Sequence, residues 1–292
     1  MSFPKPCELR NTVSGWSREE YFADSALNFH TLWDFQRDPK LFAAGFFDLK
    51  ERNDAMRQGT QIHQIVLEGE EVFRRENALW EPPVNEKTGK PYGTGTAAYI
   101  EALDAWNAEN GGKDGYSLEE FALYEEMKGA LMDHPLAGPY LFAEDNGENQ
   151  VSELMFKGEY LPGWFSKGSI DRYDAELGIL DLKTCAELER FDGYESFKRT
   201  CLYSGYLEQL AFYQIMFREL MDPRPSPMYI PVTIIGIEKK PPFRVAVCQP
   251  DDETQAAARE RVLGLIEEYI KAVSNQEFLS KYDNVVILHR NY

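Results

Sequence analysis

Gly168–Thr184 reads GSIDRYDAELGILDLKT, and the fold turns on this stretch. Ser169-Ile170 runs into Asp171, Gly178-Ile179-Leu180 runs into Asp181, and the polar segment Asp174–Gly178 lies between them as a hairpin turn. Side chains alternate along a strand, so Asp181 and Lys183 share one face and Leu182 takes the other. Asp171 ends the neighbouring strand and reaches the same face. Two carboxylates and an ammonium therefore converge on one spot.

Close carboxylates repel each other unless a cation or a shared proton compensates. Oxygen ligands suit a hard cation such as Mg²⁺ or Mn²⁺. A lysine beside such an ion can orient or deprotonate a water and neutralise a phosphate, which is the equipment for metal-assisted phosphodiester hydrolysis. Taken alone, the spacing fits a solvent-facing hairpin with a surface salt bridge at least as well, so the flanking segments decide. Upstream, Gly59–Glu71 (GTQIHQIVLEGEE) has helical periodicity, with His63 in line with Gly59 and Leu67. Downstream, Tyr203–Leu220 (YSGYLEQLAFYQIMFREL) also reads as a helix, on which Gln209 and Tyr213 share a face.

In order and spacing these pieces resemble the P-D-(D/E)-x-K nuclease superfamily, and within it the RecE-type exodeoxyribonucleases (exonuclease VIII). That family shows a helical His, an Asp, a D-x-K triplet and a Gln-x₃-Tyr pair, matched here by His63, Asp171, Asp181-Leu182-Lys183 and Gln209–Tyr213. Ser25–Phe42, Tyr116–Leu141 and the IEKKPP run Ile237–Pro242 look similar too, so the likeness covers nearly the whole chain. It implies a restriction-endonuclease-like core. It also implies Mg²⁺ or Mn²⁺ held by His63, Asp171, Asp181 and the Leu182 carbonyl, with Lys183 positioning or activating the attacking water. Gln209 and Tyr213 would orient the core and the DNA backbone. Glu153 would serve a second metal through water, with Glu159 as the other candidate. The implied reaction is 5′→3′ degradation of one strand of linear double-stranded DNA, by a ring of three or four copies. The resulting overhang would pass to a single-strand annealing recombination protein. Where the family often carries a basic residue two positions before the first Asp, this chain has Ser169, which weakens a phosphate contact there.

The coarse pattern is α/β, a central mixed sheet flanked by helices. Strands are expected at Leu154–Tyr160, Trp164–Tyr173 and Gly178–Lys183, then near Met228–Glu238 and Phe243–Gln249. Helices are expected before residue 80, near Ala97–Ala108 and Leu118–Met132, and from Thr254 to about Val273. Ser117 and Glu120 make a capping box for the helix near Leu118–Met132. The Pro- and Gly-rich Glu81–Gly95 reads as an excursion, because His63 and Asp171 lie on either side of it. The chain is therefore read as one domain, residues 1–292, with a helical part of about 1–150 and a catalytic core of about 151–292.

A net charge of −18 argues against a nucleic-acid enzyme, since DNA binding normally rests on Lys and Arg. The charge is uneven, however. Residues 101–150 carry twelve acidic and two basic side chains, whereas 151–200 carry seven basic ones against ten acidic. An acidic exterior with a more positive groove is the expectation that follows. Cys7, Cys185, Cys201 and Cys248 contain no C-x-x-C pair, so no zinc site, disulfide framework or iron–sulfur cluster is expected. No apolar run of membrane-spanning length and no N-terminal signal region is seen, which points to the cytoplasm. Two other classes remain open: an endonuclease or repair nuclease of the same superfamily, and a non-enzymatic acidic interaction protein on a nuclease-like core.

Overall fold

The computed structural model describes residues 3–47, 53–143, 149–189, 196–225, 228–280 and 282–283. At its centre, β1 (Gln150–Leu161), β2 (Trp164–Asp174), β3 (Gly178–Cys185), β4 (Val232–Glu238) and β5 (Val245–Cys248) form a mixed sheet in that order. The first three strands make an antiparallel meander, β3 runs parallel to β4, and β5 returns antiparallel. A parallel β3–β4 pair needs a crossover. The helices at Ser196–Tyr203 and Tyr206–Met216 supply it.

Alternation along β3 and β4 divides the apolar side chains between two cores. Ile179 and Ile234 join Phe212, Met216 and Val262 on one face. On the other, Leu180, Leu182, Ile235 and Ile237 join Ile62, Tyr124, Met127 and Leu131. In chain order the covering helices are α1 (Phe29–Arg37), α2 (Asp54–His63), α3 (Leu118–Asp133), α4 (Ser196–Tyr203), α5 (Tyr206–Met216) and α6 (Asp252–Asn275). The α/β class expected from the sequence is the class observed: a five-stranded mixed sheet flanked by helices. Full burial of Leu182 at the centre stabilises the fold by about 1.5–3 kcal/mol.

Three details differ from the sequence reading. The helix expected over Tyr203–Leu220 is broken at Ser204-Gly205. Gly205 has φ +82°, and a Cβ there would come within 2.8 Å of the Trp33 ring, so the chain turns a corner only glycine allows. The last strand begins at Val245 rather than Phe243, because Phe243 lies in the left-handed region at φ +55° and cannot pair as extended backbone. The region between α2 and α3 also forms two small sheets, Asn77–Leu79 parallel to Asp114–Tyr116 and the hairpin Val84–Asn85 with Lys90–Pro91. Among the described residues, no helix is long and apolar enough to cross a membrane.

Candidate active site

The site is built where the meander comes apart. On β1 and β2, the pairs Ser152–Arg172 and Leu154–Ile170 flank Glu153 and Asp171, which face each other at a gap in the ladder. Glu153 adopts φ +50°, a conformation that costs a non-glycine residue about 1 kcal/mol or more and that persists only where surroundings enforce it. Pairing of β2 with β3 begins at Arg172–Leu180, so the strands part at Asp171 and Asp181. The Asp171 carboxylate fills the opening, its Oδ2 accepting from the Leu182 N–H at 2.8 Å.

Lys183 Nζ lies 2.7 Å from both oxygens of the buried Asp181. Among the described residues Oδ2 accepts no hydrogen bond, although it lies 2.7 Å from the ammonium. The Lys183 ammonium also stands 5.1 Å over the Tyr206 ring. His63 ends α2 with Nε2 2.7 Å from the Leu182 carbonyl oxygen and Nδ1 3.7 Å from Asp171 Oδ2. Its helix is pinned from below by buried polar contacts. Gln61 donates to Asn77, Asn77 donates to Gln64, and Tyr124 donates to Gln61. On α5, Gln209 donates to the Tyr213 hydroxyl at 3.1 Å. The Tyr213 ring packs against Gly168, where a Cβ would meet it at 3.1 Å.

Electrostatics follow from burial and crowding. Desolvation, the Asp171 charge and Glu68 push the Glu153 carboxyl up to about 8. Burial raises Asp181 to about 6; Lys183 opposes this shift, and Asp171 adds to it. Burial alone would lower Lys183, but Asp181 and Asp171 outweigh it and hold the ammonium protonated. The site therefore stores like charge that a cation would relieve.

The donor set fits a small hard cation. One ligand atom each from His63, Glu153 and Asp171 lies within 4.8 Å of the others. The His63–Leu182 contact of 2.7 Å is close to the about 3 Å between neighbouring ligands of an octahedral ion with 2.1 Å bonds. Asp181 stands outside that triad, bound to Lys183, yet its buried Oδ2 is an open acceptor.

Of the two glutamates open at the sequence level, Glu153 faces Asp171. Glu159 is exposed and accepts from the Gly163 N–H of the β1–β2 turn. Ser169 turns to Glu153, donating at 3.2 Å. The sequence reading missed Glu68 and Tyr206. Glu68 closes a π-turn, Gln64–Glu68, directly after His63, and pairs with Arg18 at 3.1 Å. At ordinary α-helical spacing, residues five apart sit about 140° apart around the axis. The i+5 winding brings them closer around the axis. Tyr206 sits three residues after Tyr203, and its separate helix start was hidden by the Gly205 corner.

The positive groove expected within 151–200 is not what those residues form. Lys157 pairs with Asp24. Lys167 is buried and donates to the Tyr21 and Asp24 carbonyls. Arg172 is buried and donates to Ser152 and the Ala143 carbonyl. Three of the seven cations thus clamp the N-terminal segment and the sheet, Lys183 serves the site, and Arg190 lies outside the described residues. Lys198 and Arg199 remain exposed.

A family model described as a PDDEXK-like domain of unknown function (DUF3799) matches residues 42–284. A crystal structure from Eubacterium rectale, of a protein carrying the provisional name of exonuclease, superposes with a TM-score of 0.57 at 16% identity, over 96% of this chain and 97% of that one. This likeness shows the fold. No curated protein matches the sequence.

Proposed function

The chain belongs to the PDDEXK-like family whose model it matches, and from that premise we propose that it is a metal-dependent deoxyribonuclease. The finer reading is an exonuclease that degrades one strand of linear duplex DNA 5′→3′ and leaves an overhang for a single-strand annealing partner. The observation that carries the proposal is the parted end of β2 and β3, where Asp171, Asp181 and Lys183 meet His63 and Glu153. The directional part rests on the sequence resemblance.

His63, Asp171, Asp181 and the Leu182 carbonyl would hold Mg²⁺ or Mn²⁺, with Glu153 serving a second ion through water; such ions stabilise charge on a phosphate and acidify water. Lys183 acts as a cation rather than as a base, since Asp181 and Asp171 keep it protonated. It donates hydrogen bonds and opposes the negative charge that builds on a phosphate under attack. Tyr206 restricts the ammonium from one side. Tyr213, held by Gln209, packs the β2 backbone beside Asp171 and fixes its approach.

The test is digestion of end-labelled linear duplex and of closed circular duplex, with Mg²⁺ and with EDTA. Loss of linear DNA alone, abolished by chelator and by Asp181→Asn, is expected. Equal attack on closed circles would point to an endonuclease of the same fold. Undiminished cleavage in EDTA would overturn the metal-dependent reading.

A further inference from the structure

A cleft of about 330 Å³ opens beside the site. Glu153, which faces Asp171, lines it together with Glu68, and Val13, Ser14, Trp16 and Met155 are among its other walls. The edge of the sheet holds the N-terminal segment there. The Lys157 N–H donates to the Asn11 carbonyl at 2.9 Å and the Val13 N–H to the Met155 carbonyl at 3.0 Å, so residues 11–13 run antiparallel along the outer edge of β1. Two residues before Met155 that edge breaks, because Glu153 turns to φ +50° and leaves the extended region. The cleft lies between Glu153 and residues 14–16. Trp16 is steadied from within the fold. Its ring meets Tyr21 edge-on, with centroids 5.8 Å apart, and the buried Tyr21 carries the Lys167 ammonium 4.5 Å over its own ring. Two residues on, Arg18 donates to Glu68 at 3.1 Å and lies within electrostatic reach of Glu153. A half-buried indole thus lines a cavity that shares a glutamate with the candidate metal triad.

We propose that this cleft receives the base of an unpaired nucleotide adjoining the scissile phosphate, stacked on Trp16. The proposal rests on the nuclease reading and names the part of the substrate that the cleft holds. Position selects the occupant first. Glu153 belongs to the triad and to the cleft alike, so a strand with its phosphate at the triad carries a neighbouring base to Trp16. Charge selects it next. Glu68 and Glu153 repel a second phosphate, and Arg18, the cation beside them, is taken up by Glu68. Such walls admit the neutral base rather than the backbone, and their carboxyl oxygens accept from the exocyclic amino groups that bases carry. The indole offers a flat face to any base that has left the duplex, whereas a paired base keeps its faces covered by its neighbours. The volume is at the small end of ligand pockets, which span about 300–1,000 Å³, and suits one base.

The experiment removes the base and the indole separately. End-labelled linear duplexes carry a single abasic site at successive positions from the labelled end, and kcat/KM in Mg²⁺ is read for the full-length wild type, Trp16→Ala and Trp16→Phe. In wild type, loss of the base at the position beside the scissile phosphate should lower kcat/KM about tenfold. Trp16→Ala should cleave the intact duplex about tenfold less efficiently and lose less than about twofold more at the abasic site, because base and indole form one contact. Trp16→Phe keeps an aromatic face and should retain the abasic penalty. Thermal melts show whether each variant is folded, and the abasic series on wild type needs no variant at all. A wild type indifferent to abasic sites at every position, or the same abasic penalty in folded Trp16→Ala, overturns the proposal. Binding of the same oligonucleotides is read in parallel by fluorescence anisotropy in Mg²⁺, with Asp181→Asn alone and combined with Trp16→Ala, so that cleavage does not enter. Binding that depends on the base and on Trp16, beside a wild type that cleaves no DNA, supports the cleft and removes the nuclease reading instead. Binding indifferent to both overturns the proposal.

Discussion

Glu153→Gln should stabilise the metal-free protein at neutral and alkaline pH, although it removes an ionisable group from a site read as catalytic. In the folded chain the Glu153 carboxyl titrates at about 8 rather than at its ordinary 4.5, because burial, Asp171 and Glu68 all disfavour its charged form. A raised carboxyl pKa means that the native state holds a proton the unfolded chain has lost. Its contribution is fully present below about pH 4.5 and declines as pH rises through 8. At about 1.4 kcal/mol per pH unit, the full interval amounts to about 5 kcal/mol without screening. Glu153 keeps part of its side chain at the surface, and solvent reduces this to about 2–3 kcal/mol. Asp181 adds a slope of the same sign, but mostly below its own value of about 6. The window from pH 6 to 8.5 therefore isolates Glu153. Urea denaturation in EDTA at pH 5, 6.5 and 8 provides the assay. The glutamine variant, nearly isosteric and uncharged, should match wild type at pH 5 and exceed it by about 2 kcal/mol or more at pH 8. A difference that stays flat within about 0.5 kcal/mol across these pH values would refute the claim that Glu153 is crowded by burial and by Asp171.

Lys183→Met should abolish cleavage and destabilise the fold by about 2–4 kcal/mol near pH 7, because Asp181 would lose the ammonium that both its oxygens face; chemical denaturation beside a cleavage assay checks both. Gly236→Ala should destabilise by about 1–3 kcal/mol through the 2.4 Å approach to Phe197, read by urea denaturation; Gly264→Ala, with open space around its Cβ, serves as the comparison. His63→Ala should lower cleavage at least tenfold and raise the Mg²⁺ concentration needed for half-maximal rate, and an unchanged metal requirement would make His63 a packing residue. Light scattering at micromolar concentration should show a trimer or tetramer, and a monomer of 33.6 kDa that degrades long duplexes processively would rule out a ring.

Short-range chemistry determined much of this protein in advance. Strand alternation around DLK set Asp181 and Lys183 apart from Leu182, and the hairpin between Asp171 and Asp181 needed only its own turn residues. The capping box at Ser117 and Glu120 formed as its spacing requires. Nonlocal packing decided the rest. Which glutamate faces Asp171 depended on the register of β1 against β2 and on the left-handed turn at Glu153, which a pattern of polar and apolar residues does not encode. Glu68 follows His63 on a helix that widens to a π-turn and comes within electrostatic reach of Glu153, a change of winding invisible at α-helical spacing. The helix over Tyr203–Leu220 split because Trp33, some 170 residues earlier in the chain, occupies the corner at Gly205. The cations of residues 151–200 read as a groove in one dimension. Three became internal clamps because Asp24, the Tyr21 and Asp24 carbonyls, and Ser152 with the Ala143 carbonyl lay within reach once the chain was folded. A charge contributes to a surface only if no buried partner claims it, and partners are assigned by tertiary structure alone.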